Sequence, residues 1–314
     1  LSIASKVDWD GRLQLLLYPF YFFRQRKWLQ EIIQKLKEKG CREAVLINFH
    51  FYFLPIYFNR FFIRKIYLCN DDWVASYNHK IAKVLAWYLE RLTIKWSDTC
   101  LAVSYPLVSK LKRVTRNSHL FFPAHNFRSL LAESGFSRRG HGLKVGSWGF
   151  INNRINIDWI VTATRLDKAL EFYFCWPVEL SDHKIEFLSH PNIHFHKSCQ
   201  GDEAVKFLKQ MDVLIMPYVL MESVLAITAN NKLFFYLAAG KPIVISNMPN
   251  FMRFERGIIY VAKSSEDFVK EIRRAFNEDC EGLVGRRLQI AAQNTWKVRG
   301  EELMKHIESS PQTY

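Results

Sequence analysis

A loop with glycine, asparagine and arginine follows a strand-like segment near the middle of the chain. The strand pattern covers Lys144–Trp148, and the loop after it contains Gly149, Asn153 and Arg154. Gly149 would let the backbone approach a diphosphate, and Arg154 or the asparagine would bind its oxygens. An ordinary turn between a strand and a helix would use the same residue types. The pattern therefore leaves a phosphate site and a plain turn open.

Two adjacent carboxylates, Asp71 and Asp72, follow another strand pattern, Lys65–Cys69. A carboxylate after a parallel strand could orient or deprotonate the hydroxyl group of an acceptor. A helix cap or a solvated pair would use the same two residues. We keep both carboxylates as catalytic candidates.

Three histidines, His190, His194 and His196, lie close together in the sequence. Two of them share one face of a strand, but no third ligand has a convincing spacing, so we expect no metal site. We favour instead a loop that begins at His196, continues through Lys197 and lines a nucleobase.

The elements that would position these side chains are clearest in residues 212–246. A short apolar run that ends at Pro217 is typical of a buried parallel strand. Helical spacing begins at Asn231 and ends at Gly240. Tyr218 begins the loop between strand and helix. At such a position open α/β sheets bind ligands, and backbone N–H groups favour anions.

Strand and helix patterns alternate in two series, separated by residues 129–142, which have no strong period. A strand at Leu1–Ala4 begins the first series, and one terminal helical stretch, Arg286–Ile307, ends the second. Two such series predict the α/β class with two doubly wound domains, residues 1–128 and 143–296.

Composition limits the class of protein further. The chain has 314 residues, 49% of them hydrophobic and 24% charged, which indicates a globular protein rather than a disordered one. A net charge of +14 favours an anionic partner: nucleic acid, a membrane surface or a phosphorylated substrate. Six scattered cysteines without a CxxC pair predict a reduced, cytoplasmic chain. No apolar run is long enough to predict a spanning helix. The chain begins at Leu1, so we expect further residues before it.

Two segments combine aromatic and basic residues, Leu15–Trp28 and His50–Arg64. Their clustered apolar side chains suit an anionic membrane surface better than nucleic acid, and burial in the core remains open. We favour the membrane surface. Helices are predicted at Glu31–Lys39 and at His79–Ser97, the latter with one apolar face toward the core.

Several motifs together resemble those of the retaining GT-B glycosyltransferases (family 4-like) of bacterial surface-polysaccharide biosynthesis. The resemblance is good over about half of the chain and looser in the first half. The motifs that carry it are Val145–Gly149, Asn192–Phe195, Asp212–Tyr218, Asn231–Pro242 and Asn294–Trp296, and more loosely Asp8–Asp10 and Asn70–Trp73.

The resemblance implies two Rossmann-like domains facing a central cleft. A nucleotide-sugar, often a UDP-sugar, would bind the C-terminal domain, and the acceptor would bind the N-terminal one. A last helix, about 297–314, would pack back on the N-terminal domain. Neither a metal nor a cofactor besides the donor substrate is implied, because basic groups and a helix N-terminus stabilise the departing diphosphate.

The resemblance also implies roles for individual residues. Lys232 would be the catalytic cation at the diphosphate, and Gly149 and Arg154 would contact the phosphates. Asn230 and Asn231 would begin the helix whose N-terminus faces the diphosphate.

One residue departs from the family pattern. Family members usually have a glutamate that contacts the donor ribose where this chain has Phe235. An apolar ring cannot accept hydrogen bonds from ribose hydroxyls. A catalytically degenerate subunit that binds a partner transferase or a glycan is therefore the alternative.

These observations lead to one expected function. We expect a hexosyltransferase-like enzyme that moves a sugar to a hydroxyl of a glycan or lipid-linked glycan and retains its configuration. We expect it in the cytoplasm, peripheral at the inner face of the membrane, with an anionic membrane surface but no nucleic acid among its partners.

Overall fold

A computed structural model of the protein describes residues 18–77, 79–126, 142–175, 187, 189–221, 231–248, 251 and 254–309. The chain forms two compact units, Leu1–Phe121 with Leu303–Tyr314, and Phe122–Glu302. Each unit contains a sheet of parallel strands with helices in the connections, so the predicted α/β class is confirmed.

The first unit contains a four-stranded sheet in the order β1-β2-β3-β4. Its strands are β1 Ala44–Asn48, β2 Phe62–Cys69, β3 Thr99–Ala102 and β4 Ser118–Leu120. Its helices are α1 Tyr18–Glu38, a 3-10 helix Leu54–Phe58, α2 Lys80–Trp96 and α3 Tyr105–Lys112.

Helix α1 joins two segments that the sequence analysis treated separately. Its 21 residues include most of the aromatic–basic segment Leu15–Trp28 and the helix predicted at Glu31–Lys39. Pro19 falls in its first turn, where a missing N–H is tolerated. Gly40, with φ 84°, follows its C-terminus. The strand predicted at Leu1–Ala4 lies outside the described residues.

The second aromatic–basic segment, His50–Arg64, packs into the core of the first unit. Its buried aromatic side chains are Phe51, Tyr52, Tyr57, Phe61 and Phe62. Arg64 is buried as well, and its guanidinium donates to Thr99 Oγ1 at 3.1 Å. The membrane interpretation is wrong for these residues, because the 3-10 helix and the early start of β2 turn their rings inward. Phe58, by contrast, is 63% exposed.

The second unit contains a six-stranded sheet in the order β10-β9-β8-β5-β6-β7. Its strands are β5 Leu143–Trp148, β6 Leu170–Cys175, β7 Ile193–His196, β8 Val213–Met216, β9 Ile243–Ser246 and β10 Ile259–Ala262. Its helices are α4 Ile157–Leu166, α5 Asp202–Lys209, α6 Asn231–Ala238, α7 Ser265–Glu278 and α8 Glu281–Ala292. Strand order reverses between β5 and β8, as in doubly wound nucleotide-binding sheets.

A further helix, α9 Trp296–Glu308, follows α8 after a break. The helical stretch predicted at Arg286–Ile307 is helical on both sides of this break. Thr295 pairs with His125 in an isolated bridge, and the His125 N–H donates to the Asn294 carbonyl at 3.2 Å, which draws the backbone out of the helical path. The C-terminal end of α9 packs through Leu303 and Ile307 against the core of the first unit.

Two cysteines are paired. Cys175, at the end of β6, and Cys199, after β7, form a disulfide, with Cα atoms 6.1 Å apart. The expectation of fully reduced cysteines is wrong for this pair, since the adjacent strands bring the two positions together. Cys41, Cys69, Cys100 and Cys280 are free. In the described part of the chain, no helix has the length and apolar character needed to cross a membrane.

Candidate functional site

The loops after β5 and β8 meet at the point where the strand order of the second sheet reverses. Ile155 and Tyr218 form an antiparallel bridge, the Asn156 N–H donates to the Pro217 carbonyl at 2.6 Å, and the Val219 N–H donates to the Arg154 carbonyl at 2.8 Å. In doubly wound sheets this is the edge at which ligands bind. The fold therefore places the two loops singled out in the sequence side by side.

Gly149 and Lys232 come together at this edge. Gly149 has φ 107°, a conformation that side chains other than glycine rarely adopt. A Cβ atom added there would lie 2.8 Å from Lys232 Cε and 3.0 Å from Nζ. Two positions far apart in sequence thus place an ammonium group directly against a loop backbone.

Burial sets the charge state of Lys232. The side chain is 8% exposed, and burial lowers its pKa from 10.5 to about 8. The ammonium form still predominates at pH 7, and an anion bound beside Nζ would stabilise it and raise the pKa again. Lys232 also lies in the first turn of α6, where backbone N–H groups attract negative charge. A diphosphate is one anion that this combination would suit.

Trp148, at the end of β5, is held from three directions. Its backbone N–H donates to the Tyr236 hydroxyl at 2.6 Å, and that hydroxyl donates to its carbonyl at 3.2 Å. The indole N–H donates to the Cys199 carbonyl at 3.0 Å. The ring of Phe235 packs edge-on against the indole, with centroids 4.7 Å apart.

Phe235 lies in the core of the second unit. Its side chain is 2% exposed, on the same helix as Lys232. At the position where the family resemblance would place a ribose-binding glutamate, this chain has an apolar contact with Trp148. Through this ring contact, Phe235 helps to position the indole of Trp148.

The remaining residues predicted to bind the donor differ in exposure. Asn153 and Arg154 are exposed in the loop after β5, and the Arg154 N–H donates to the Asn152 side chain at 3.0 Å. Tyr218 is buried, and its carbonyl accepts from Ser246 Oγ at 2.6 Å. Asn230 lies outside the described residues, and the backbone of Asn231 begins α6.

The histidines near β7 have aromatic and polar neighbours. His194 stacks on Tyr173 with ring centroids 4.6 Å apart, and His196 contacts the ring of Phe207 at 5.5 Å. His190 shares a hydrogen bond of 3.1 Å with Thr164. Within the described ranges, no three His, Cys, Asp or Glu side chains converge as metal ligands do. His196 and Lys197 are exposed at the end of β7.

In the first unit, Asp72 belongs to a partly buried charge cluster. Its Oδ1 accepts from Lys110 Nζ at 2.8 Å and from the Ala75 N–H at 3.2 Å. Lys110 Nζ also lies 2.7 Å from Glu90 Oε2, and Glu90 accepts from the Tyr67 hydroxyl at 3.1 Å. Asp72 therefore caps a turn and neutralises a lysine. Asp71 precedes it in the same loop and shares neither contact.

Aromatic residues surround this loop. His50 stacks on Tyr52 at 4.2 Å between centroids and contacts Trp73 at 4.8 Å. Burial lowers the pKa of His50 to about 4, so the imidazole is neutral at pH 7. Sequence reasoning missed this cluster, as it missed Glu90, Lys110 and the Tyr236 hydroxyl. Aromatic residues just after strand ends were the signal for His50 and Trp73, whereas nothing local marks the other three.

Comparison with solved structures identifies the fold. A glycosyltransferase from Rickettsia africae superposes with a TM-score of 0.71 at 11% identity, covering 99% of this chain and 86% of that one. Anabaena HepE in complex with UDP-glucose gives 0.55 at 10% identity, covering 79% and 72%. A UDP-forming α,α-trehalose-phosphate synthase from Burkholderia xenovorans, in complex with glucose-6-phosphate, gives 0.62 at 11% identity, covering 96% and 79%.

These likenesses show that the chain has the GT-B fold of glycosyltransferases. The sequence itself matches no protein-family model and no curated protein.

Proposed function

We propose that the protein is a glycosyltransferase that moves a sugar from a nucleoside-diphosphate donor, a UDP-sugar, to a hydroxyl group. The observation that carries this proposal is that the Lys232 ammonium occupies the space beside Gly149 that a side chain would fill, at the strand-order reversal. This arrangement suits an anionic ligand, and a diphosphate leaving group is stabilised by fixed positive charge. The complex of HepE with UDP-glucose, a protein of the same fold, supports the choice of donor.

The second unit supplies the proposed donor site. Lys232 and the N-terminus of α6, begun by Asn231 after Asn230, neutralise the departing diphosphate. The Gly149 backbone and the exposed Asn153 and Arg154 bind its oxygens. Tyr218, His196 and Lys197 line the nucleoside, and Phe235 holds Trp148 in place beside it. The transfer retains anomeric configuration and uses no metal.

The first unit supplies the proposed acceptor site at Asp71 and Asp72. Either carboxylate would orient an acceptor hydroxyl, and the contacts of Asp72 with Lys110 and the Ala75 N–H fix the position of the loop that holds both. The acceptor is a hydroxyl of a glycan or lipid-linked glycan in bacterial surface-polysaccharide biosynthesis.

The proposed location is cytoplasmic and peripheral, at the inner face of the membrane. The net charge of +14 supports it, because the cytoplasmic leaflet carries a negative surface potential. A lipid-linked acceptor would be presented at this surface. Nucleic acid is not among the proposed partners.

A second candidate function is a non-catalytic GT-B subunit that binds a partner transferase or a glycan. The burial of Phe235 against Trp148 favours it, since no carboxylate occupies the position that binds ribose in related transferases. This subunit would bind no nucleotide-sugar, or would bind one without turnover.

Thermal shift with UDP and a set of UDP-sugars tests the proposal. We expect UDP to raise the Tm of the wild-type chain and the Lys232→Met variant to lose that rise. Lys168→Met is the matched control, because Lys168 is exposed and precedes β6 at the opposite edge of the sheet. Equal responses of all three proteins would remove the assigned site, and no response to any nucleotide would favour the second candidate.

Turnover separates the two candidates when UDP binds. Hydrolysis or transfer of a UDP-sugar, with the product anomer determined by NMR, supports the enzyme and tests retention. Activity that survives a chelator supports the absence of a metal requirement. Binding without turnover of any donor in the set identifies the degenerate subunit.

A further inference from the structure

Helix α2, Lys80–Trp96, exposes large apolar side chains on its outer face. Ile81 is 65% exposed, Val84 66%, Trp87 51% and Tyr88 53%. The opposite face packs into the core through Ala82, Ala86 and Leu89. The helix is therefore apolar on both sides, whereas a surface helix is usually polar on the outside.

The exposed residues form one continuous stripe. Ile81, Val84 and Tyr88 recur at the spacing of one helical face, and Arg91 and Lys95 continue the same stripe toward the C-terminus. Trp87 borders it, and the Arg91 guanidinium lies over the indole ring, 5.5 Å from its centroid.

The charges on this face all have the same sign. Lys80, Lys83, Arg91 and Lys95 are exposed. The only carboxylate of the helix, Glu90, is 2% exposed and contacts Lys110 and Tyr67 on the inner side. The outer face thus combines aliphatic and aromatic side chains with cations and presents no acidic group of its own.

Another exposed aromatic side chain, Phe58, lies near the C-terminal end of the helix. The ring of Trp96 contacts that of Phe58, with centroids 4.7 Å apart, and Phe58 is 63% exposed. Phe58 also borders a groove of about 300 Å³, and the other residues lining it are Arg26, Leu29, Gln30, Pro55 and Asn59. This groove also combines apolar side chains with a cation, Arg26, but the proposal below concerns only the outer face of α2.

We propose that the outer face of α2 is the surface through which the protein docks on an anionic lipid bilayer. Ile81, Val84 and Tyr88 would enter the boundary between headgroups and acyl chains, as the apolar face of an interfacial helix does. The four cations would lie at the level of the phosphates, and Trp87 suits the same depth because its ring is amphipathic. This inference rests on the proposed membrane location but not on the chemistry of the site.

The charges and side-chain types on the outer face of α2 favour a lipid surface over other occupants. A second copy of the chain would place cations against cations in a two-fold contact. Single-stranded nucleic acid could stack bases on Trp87 and Tyr88, but Ile81 and Val84 at the N-terminal end of the stripe offer bases no such platform. An anionic bilayer complements both the cations and the aliphatic side chains.

Vesicle flotation with the full chain tests the assignment. The probes are vesicles of phosphatidylcholine alone and of phosphatidylcholine mixed with phosphatidylglycerol. We expect the wild type to bind only the anionic vesicles, and Ile81→Ser/Val84→Ser/Tyr88→Ser to bind them about tenfold or more weakly. The matched control is Leu166→Ser/Met304→Ser, because these two side chains are also exposed and apolar but lie on other helices. It should bind like the wild type.

The possible results separate this inference from the proposed functions. If wild type and stripe variant bind anionic vesicles equally, the surface assignment is overturned and the membrane location stands. If the wild type does not bind, both fall, whereas the UDP thermal shift still reports on the donor site.

A second measurement covers the case in which the stripe variant does not fold. A polarity-sensitive fluorophore on Val84→Cys should shift to shorter wavelength with anionic vesicles. The same fluorophore on Leu166→Cys should not. Equal behaviour of the two labels would also overturn the assignment.

Discussion

Each unit holds a lysine close to the carboxyl ends of its strands: Lys110 is partly buried, Lys232 is buried, and their pKa values shift in opposite directions. Burial alone would lower the pKa of Lys110, but Glu90 and Asp72 outweigh it and raise that pKa. For Lys232, burial lowers the pKa to about 8. Glu90 and Asp72 thus stabilise the charged form of Lys110, whereas burial disfavours the charged form of Lys232. The comparison indicates a structural cation in the first unit, and it agrees with the proposal that an external anion binds beside Lys232.

The largest effect is expected from Lys110→Met. This change leaves the Glu90 carboxylate buried without its cation, which should lower the free energy of unfolding by about 3–5 kcal/mol. Burial already raises the pKa of Glu90, so the folded state holds its proton to higher pH than the unfolded state does. The loss should therefore be greatest at neutral pH and smaller in mild acid. Urea unfolding at several pH values measures it.

Neutralising both partners should recover much of that stability. Lys110→Met/Glu90→Gln leaves no buried charge at this contact, so it should be more stable than Lys110→Met alone. If the free energy of unfolding of Lys110→Met lay within about 0.5 kcal/mol of the wild-type value, the structural role of Lys110 would be contradicted.

The opposite sign is expected from Lys232→Met. Replacing a buried ammonium by an apolar side chain of similar length should raise the free energy of unfolding at pH 7 by about 2 kcal/mol. Since its folded pKa is near 8 and its ordinary value is 10.5, the unfolded chain binds the extra proton between those values. Wild-type stability should therefore rise with pH across this range relative to the variant.

The difference between the two proteins isolates Lys232 from the other groups that titrate in alkali. Urea unfolding at pH 7, 8, 9 and 10 gives that difference directly. If Lys232→Met were destabilised at pH 7, Lys232 would stabilise the fold as Lys110 does, and the contrast between the two lysines would collapse.

The sequence identified the elements around Lys232 better than the contacts within them. Gly240 and the prolines mark the ends of helix and strand locally, so β8, α6 and β9 were predicted close to their observed bounds. The contact of Lys232 with Gly149 needed the order of the strands in the sheet. The family resemblance implied that both residues contact the donor phosphates, but no spacing in the sequence indicated that Lys232 and Gly149 lie side by side.

Burial was harder to predict than periodicity. One apolar face of α2 was predicted from its spacing, and it packs into the core through Ala82, Leu85, Ala86, Leu89 and Leu92. The equally apolar outer face was not recognised. The aromatic segment His50–Arg64 was instead assigned to a membrane surface, although its rings fill the core. Composition shows that aromatic residues are clustered, whereas only packing decides which cluster faces solvent. The Lys110–Glu90 contact was missed for the same reason, since its residues come from different helices.

A smaller effect is expected from Gly149→Ala. Alanine is strained at the φ of 107° that Gly149 adopts, which should lower the free energy of unfolding by about 1–2 kcal/mol. Its Cβ atom would also push Lys232 Nζ from its place. The thermal shift with UDP should therefore be lost together with some stability. Gly285→Ala is the control: this glycine lies within α8 with open space around its Cβ position, so alanine should stabilise the helix. An unchanged UDP response in Gly149→Ala would separate this loop from the donor site.

The smallest effect, about 1 kcal/mol, is expected from Tyr236→Phe, which removes one hydroxyl that bonds the backbone of Trp148 on both sides. The loss should be modest because the ring stays packed and Phe235 still holds the indole. The free energy of UDP binding should fall by more than the free energy of unfolding does, because Trp148 directly precedes Gly149. A more mobile Trp148 would also make the loop that begins at Gly149, the proposed donor-binding loop, more mobile. Urea unfolding and UDP titration on the same variant compare the two effects. Equal losses would indicate that Tyr236 only stabilises the fold, as Lys110 does in the first unit.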